Sequence, residues 1–230
     1  MKTIGLLGGM SWESTESYYR LINEAVRARM GGLNSAKLLS LSVNFAEIYV
    51  YQSKEEWEMC GALLNEEAKT LARAGVDAIA ITTNTMHKVA GRIMQDVEVP
   101  LLHIAEATAD ALLLAGVKRV ALLGTMTTMK EPFYKEVLLQ KGLAVYVPSE
   151  EDGLEIDRII FHELCQGEVV EASRQRGYKI IGALKACGAE AVILGCTELD
   201  LLLSDEASAL PLFDTTRIHA EAIANYMMSD

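Results

Sequence analysis

The chain has 230 residues, half of them hydrophobic and 23% charged, with a formal net charge of −11. This is the composition of a globular protein long enough for one large domain or two small ones. No Lys/Arg block interrupts the acidic balance, which argues against nucleic acid and against an anionic membrane surface as partners.

The first residues, MKTIGLLGGMSWESTE, hold an apolar run too short for a secretory signal, which meets Glu13 and Glu16 at once. Within that run, TIGLLG (3–8) reads as a strand, and ESYYRLINEAVRARM (16–30) shows apolar residues at helical spacing. The strand LLSLSV (38–43), the helix EEWEMCGALLNEEAKTLARAG (55–75) and the strand AIAIT (78–82) follow. LLHI (101–104) reads as another strand, before the helix EATADALLLAG (106–116) and the strand RVALLG (119–124). Next come the helix KEPFYKEVLLQKG (130–142), the strand AVYVP (144–148) and two helical patterns, DRIIFHELC (157–165) and YKIIGALKACG (178–188). AVILG (191–195) is the last expected strand, and a final helix follows DTTRIHAEAI. Most of the helical patterns stop at Gly, a favoured residue just past a helix end. Fully apolar strands alternating with helices imply parallel sheets covered on both faces. No stretch reaches the roughly 18 apolar residues of a spanning helix.

The chain also repeats itself. IGLLGGMS (4–11) falls on VALLGTMT (120–127) at an offset of 116. AGVDAIAITTNT falls on CGAEAVILGCTE at an offset of 113, placing Gly75 on Gly188, Thr83 on Cys196 and Asn84 on Thr197. Two pairs at nearly one offset predict two homologous halves: residues 1–108 with a returning C-terminal helix at 214–230, and residues 109–213. In doubly wound sheets ligands gather beyond the carboxyl ends of the strands, where all four repeated motifs lie.

Cys196 stands just after an apolar strand and just before TELDLLL. A cysteine at a helix N-terminus feels backbone N–H groups and the helix dipole, which lower its pKa. The bland alternative is a buried small hydrophobe; the repeat and the polar neighbours Thr197 and Glu198 favour function. Thr83, the counterpart in the other half, is a far weaker acid, and capping a helix that starts near Asn84 is a strong competing role. Asn84, Thr85 and the turn's N–H groups are suited to a carboxylate. GLLGGMS is neither GxGxxG nor a Walker loop, so it suggests an anion cradle rather than a nucleotide site. Cys60, Cys165 and Cys187 lie in helical patterns and read as core or surface fillers. The four cysteines lack CxxC or zinc-type spacing, and His103, His162 and His219 are scattered, so no metal site is expected. His87, one turn beyond Thr83, reads as a packing or capping residue. Reduced thiols and the absence of a signal lead us to expect a cytoplasmic protein.

Taken together, GLLGGMSWEST, TNTMH, GCTE and FDTTRIHAEA resemble the aspartate/glutamate racemase family over residues 4 to 225. The TNTMH form resembles the L-aspartate/glutamate-specific subgroup. The resemblance implies an α/β fold of two pseudo-symmetric α/β/α halves, each with a parallel four-stranded-type sheet, and an active site in the cleft between them. It implies a homodimer acting on an acidic amino acid without pyridoxal phosphate or any other cofactor. Two cysteines of the family flank the substrate's α-carbon; Cys196 matches one, and Thr83 stands where the other is usual. Met10, Asn84, Thr85, Thr197 and Glu198 fall on motif positions that contact substrate, and Gln52, in the loop after LSVNF, lies near another. Because a threonine is a poor base, the departure at Thr83 implies unequal faces and a preference for the L-isomer. A one-cysteine relative resembling the arylmalonate decarboxylases, and a binding protein that senses an acidic amino acid without turnover, are the alternatives.

Overall fold

The computed structural model describes residues 1–229 and divides into two compact units. Met1–Ile104 together with the chain from Thr216 onward form the first, and Ala105–Thr215 the second. The first unit contains β1 (Ile4–Gly8), α1 (Trp12–Met30), β2 (Leu38–Ser42), α2 (Phe45–Gln52), α3 (Trp57–Arg73) and β3 (Ala78–Ile81). A short 3-10 turn, Thr85–Val89, then leads into α4 (Ala90–Ile93). The junction falls at the start of α5 (Ile104–Leu114). The second unit continues with β4 (Arg119–Leu123), α6 (Met126–Lys130), α7 (Pro132–Gln140), β5 (Ala144–Tyr146) and α8 (Glu150–His162). It ends with α9 (Glu171–Ala186), β6 (Ala191–Leu194), α10 (Leu199–Leu202) and β7 (Leu212–Asp214), and α11 (Thr215–Met228) belongs to the first unit almost entirely.

Each unit has one parallel sheet, ordered β2-β1-β3 in the first and β5-β4-β6-β7 in the second. The central strands are buried on both faces, and the alternation of side chains sorts them into two cores. Ile4, Leu6, Ala78 and Ala80 face Tyr18, Leu21, Ile22 and Val26 of α1 and Ala220, Ile223, Ala224 and Met227 of α11. Leu7, Ile79 and Ile81 face Cys60, Leu64, Ala68 and Leu71 of α3. In the second unit Ala121, Leu123, Val192 and Leu194 pack with Ile156, Ile159 and Ile160 of α8 and Ile180, Ile181 and Leu184 of α9. Burial of each such leucine or isoleucine stabilises by about 1.5–3 kcal/mol relative to exposure.

The internal repeat is visible in the strand ladders. Ile4 pairs with Ala78 and Val120 with Ala191, so both sequence offsets link equivalent rungs of the two sheets. The turns entering β3 and β6 also match: Gly75 has φ +83° and Gly188 φ +105°, left-handed values that favour glycine after a helix end. The helix starts differ. Ser11 caps α1, whereas Thr125, two residues earlier in the aligned numbering, caps α6.

Two expectations need correction. LLHI is not a strand, so the first sheet has three strands rather than the expected four: one parallel bridge joins Ile79 to Leu101, and the chain enters α5 at Ile104. The hydrogen bonds Ile79 N–H to Pro100 O (2.9 Å) and Leu102 N–H to Ile79 O (2.8 Å) are all the ladder that forms. The fourth strand of the second sheet, β7, is the short run LFD directly after Pro211, too brief to show a period. Among the described residues, no helix is long and apolar enough to cross a membrane.

Candidate active site

In the first unit the turns after β1 and β3 meet at the carboxyl end of the sheet. Ser11 caps α1 by accepting the Ser14 N–H at 3.2 Å. Ser14 Oγ donates to Thr82 O at 2.8 Å, which ties the start of α1 to the end of β3. Thr15 Oγ1 accepts the Gly9 N–H (2.8 Å), donates to Ser11 O (2.9 Å) and lies 3.1 Å from Thr82 Oγ1. This hydroxyl network leaves little room for more atoms. A Cβ on Gly8 would stand 2.5 Å from Thr15 Oγ1 and 2.9 Å from Thr82 Oγ1, and one on Gly9 would collide with the Val43 backbone. The glycines of GLLGGMS therefore admit the protein's own side chains and backbone. Ser14, Thr15 and Thr82 escaped the sequence reading, because nothing in a single chain marks residues 67 apart as partners.

Thr83 follows this network, partly buried, with Asn84 buried beside it and Thr85 partly buried. Thr83 does not cap a helix: Asn84 occupies the cap position of the 3-10 turn, and no side chain bonds there as a cap. The Thr83 carbonyl instead meets His87 Nδ1 at 2.8 Å. Met10 is buried in the α3-side core. Gln52 is the last residue of α2 rather than part of a loop, and its Oε1 is buried without a hydrogen-bond partner. Three of the four histidines, His87, His103 and His219, are gathered in space. His87 and His103 stack edge-on with centroids 4.5 Å apart, and His219 lies 6.2 Å from His87. Among the described residues, no group of His, Cys, Asp or Glu side chains is arranged to hold a metal.

In the second unit Cys196, Thr197 and Glu198 fill the turn after β6. Cys196 Sγ donates to Glu198 Oε2 at 3.0 Å, and Thr197 Oγ1 donates to the same oxygen at 2.7 Å. The turn is anchored from behind by the Gly195 N–H, which donates to Leu123 O at 2.6 Å, and by Thr215 Oγ1, which donates to Leu194 O at 2.8 Å. The expectation of a lowered thiol pKa is overturned. Burial pushes the Cys196 thiol well above its usual value, and the Glu198 carboxylate beside it adds to the shift by charge and by accepting the hydrogen bond of the S–H group. The helix that was to stabilise a thiolate, α10, has only four residues and begins three positions later. Cys60 is a core residue, while Cys165 and Cys187 are exposed in short segments after α8 and α9.

Parallel α/β units with polar strand-end turns, one bearing a thiol hydrogen-bonded to a carboxylate, place the chain in the α/β class. The Asp/Glu/Hydantoin racemase family matches residues 7–223, and the chain belongs to that family. It is thus an amino-acid racemase, an isomerase. The chain is similar to the broad specificity amino-acid racemase RacX of Bacillus subtilis, 25% identical over 97% of this chain and 98% of the relative. Among solved structures, a candidate Asp/Glu racemase from Yersinia pestis is 46% identical with a TM-score of 0.94, covering 100% of both chains. An aspartate racemase homologue from Pyrococcus horikoshii is 37% identical with a TM-score of 0.87, again over 100% of both.

Proposed function

We propose that the chain racemises acidic amino acids, working from the L-isomer, with Cys196 as the base and Thr83 as the proton donor on the opposite face of the α-carbon. The observation that carries this reading is the hydrogen bond from Cys196 Sγ to Glu198 Oε2. In the resting protein the sulfur is a thiol. Transfer of its proton to Glu198 leaves a thiolate, which takes the substrate's α-proton. The electron pair of the broken C–H bond delocalises into the substrate carboxylate. A proton delivered to the opposite face, from the Thr83 hydroxyl directly or through one water, completes the inversion; the proton held by Glu198 then passes through solvent to the Thr83 oxygen and restores the resting state. Return of the proton from the sulfur to the same face gives exchange without inversion. Asn84, Thr85 and Thr197, with the N–H groups of their turns, are assigned to the substrate's polar groups, and the bare Gln52 Oε1 is an acceptor suited to its ammonium. Neither step calls on a cofactor.

The similarity to a broad specificity amino-acid racemase favours a second reading in which neutral amino acids are also accepted. One experiment tests both: α-deuterium uptake from heavy water into the L- and D-forms of aspartate, glutamate and a panel of neutral amino acids. We expect uptake into L-aspartate or L-glutamate, and Cys196→Ala to remove it by about 10²–10⁴-fold or more. Undiminished uptake in Cys196→Ala would refute the assignment of the base. Uptake confined to neutral substrates would refute the acidic specificity.

A further inference from the structure

We propose that His87 is a positioning residue for the turn that carries Thr83, acting as a neutral imidazole locked in one tautomer. The inference rests on the reading of Thr83 as a proton-transfer group.

The geometry dictates the tautomer. The backbone N–H of Ile104 donates to His87 Nε2 at 3.3 Å, so that nitrogen must be bare. Nδ1 then carries the proton and donates to Thr83 O at 2.8 Å. His219 is locked in the opposite sense. Its Nε2 lies 2.7 Å from Leu102 O and must donate, so its Nδ1 accepts the Tyr18 hydroxyl at 2.8 Å. Tyr18 meets the His219 ring edge-on, with centroids 5.5 Å apart. Tyr18, His87 and His219 are buried, and the side chain of His87 is packed against the rings of both His103 and His219.

The consequence falls on Thr83. Thr83 lies between the end of β3 and the Asn84 cap of the 3-10 turn, where the strand ladder has already ended. The preceding peptide is held by Thr82, whose N–H donates to Leu7 O at 3.0 Å and whose carbonyl takes the Ser14 hydroxyl. The imidazole holds the next carbonyl, that of Thr83. Two adjacent carbonyls anchored by two buried side chains set the direction in which the Thr83 hydroxyl leaves the chain. Loss of the second anchor frees that direction, and small misplacement of a reacting group is costly to the step it performs.

The test compares inversion with exchange. His87→Leu removes the donor. We expect kcat for conversion of the L- to the D-form to fall about 10- to 100-fold with KM little changed, while Cys196-dependent α-deuterium exchange of the L-form persists. His87→Asn keeps an amide N–H near the place of Nδ1 and should restore most of the inversion. His87→Gln, whose amide extends toward the place of Nε2, should behave as His87→Leu. Ring nitrogen NMR of the wild-type protein should show His87 protonated at Nδ1 and His219 at Nε2. Loss of exchange and inversion in equal proportion, in step with a lowered melting temperature, would show a merely structural residue and overturn the proposal. So would an Nε2-protonated His87, or wild-type inversion in His87→Leu. Thr83→Ala, measured alongside, separates the two readings. Intact inversion in Thr83→Ala with a defect in His87→Leu refutes Thr83 as the donor and leaves His87 positioning the turn. A defect in Thr83→Ala with none in His87→Leu refutes the role of His87.

Discussion

At the scale of single residues, the pairing of Cys196 with Glu198 decides how the thiol behaves. A carboxylate two positions away, accepting from both Cys196 and Thr197, raises the thiol's pKa and at the same time offers a destination for its proton. These effects pull reactivity in opposite directions, which makes Glu198→Gln informative. The substitution removes the charge and the strong acceptor, leaving burial as the main cause of the shift. Cys196 should then titrate lower than in the wild type, so its alkylation by iodoacetamide should begin at lower pH, read by peptide mapping to separate it from exposed Cys165 and Cys187. α-Proton exchange should nevertheless fall, because the amide is a poor proton acceptor. If both alkylation and exchange rise together, Glu198 merely suppresses the thiol. The sequence made the three residues of this turn visible. It did not reveal the direction of the pKa shift, which depends on the Glu198 side chain bending back and on α10 being a single turn.

At the scale of elements, the strands and the long helices were legible because their periods are strong and their ends are marked. Every helical pattern overlaps an α-helix and six of the seven apolar runs hold a strand, and the departures are instructive. LLHI has the residues of a strand but only one bridging rung before the α5 turn, and DRIIFHELC runs past the end of α8 into a 3-10 turn. What escaped the reading is the joining of elements: Ser14 and Thr15 of α1 bonded to Thr82 beyond β3, and the histidines of three segments packed together. Gly8→Ala probes that joint. The new methyl group meets Thr15 Oγ1 at 2.5 Å and Thr15 Cγ2 at 2.6 Å. Thr15 cannot swing away without giving up its bonds to Gly9 and Ser11. Overpacking of this kind costs about 1–3 kcal/mol, so thermal unfolding should move down by several degrees. An unchanged melting temperature would mean that α1 shifts freely against β3.

At the scale of the whole molecule, the buried imidazoles link stability to acid. Burial lowers the pKa of His87 well below the ordinary imidazole value, aided by neighbouring His103 and His219, and brings that of His219 down to about 4. The folded state therefore binds protons more weakly than the unfolded chain does. A histidine whose folded pKa is depressed leaves stability intact above its unfolded pKa of about 6.5 and withdraws it as pH falls toward the folded value. For His219 alone the loss between those limits is on the order of 3 kcal/mol. The groups around this cluster offset burial only in part: the Thr83 and Leu102 carbonyls accept from the rings and favour their charged forms, but burial outweighs them. The carboxylates held low by partners, Glu150, Glu155, Glu171 and Glu190, lie at the surface of the second unit and lose their pairing only as they protonate, below about pH 5. Between about pH 6.5 and 5 the histidines should thus dominate the acid slope. Urea titrations across that interval should show the wild-type midpoint falling with pH, and His219→Gln, which keeps an amide donor toward Leu102 but cannot charge, should show a shallower fall. The variant's lower stability at neutral pH does not confuse the comparison, because the slope and not the height carries the argument. An equal slope in the two proteins would show that His219 does not contribute to the acid sensitivity.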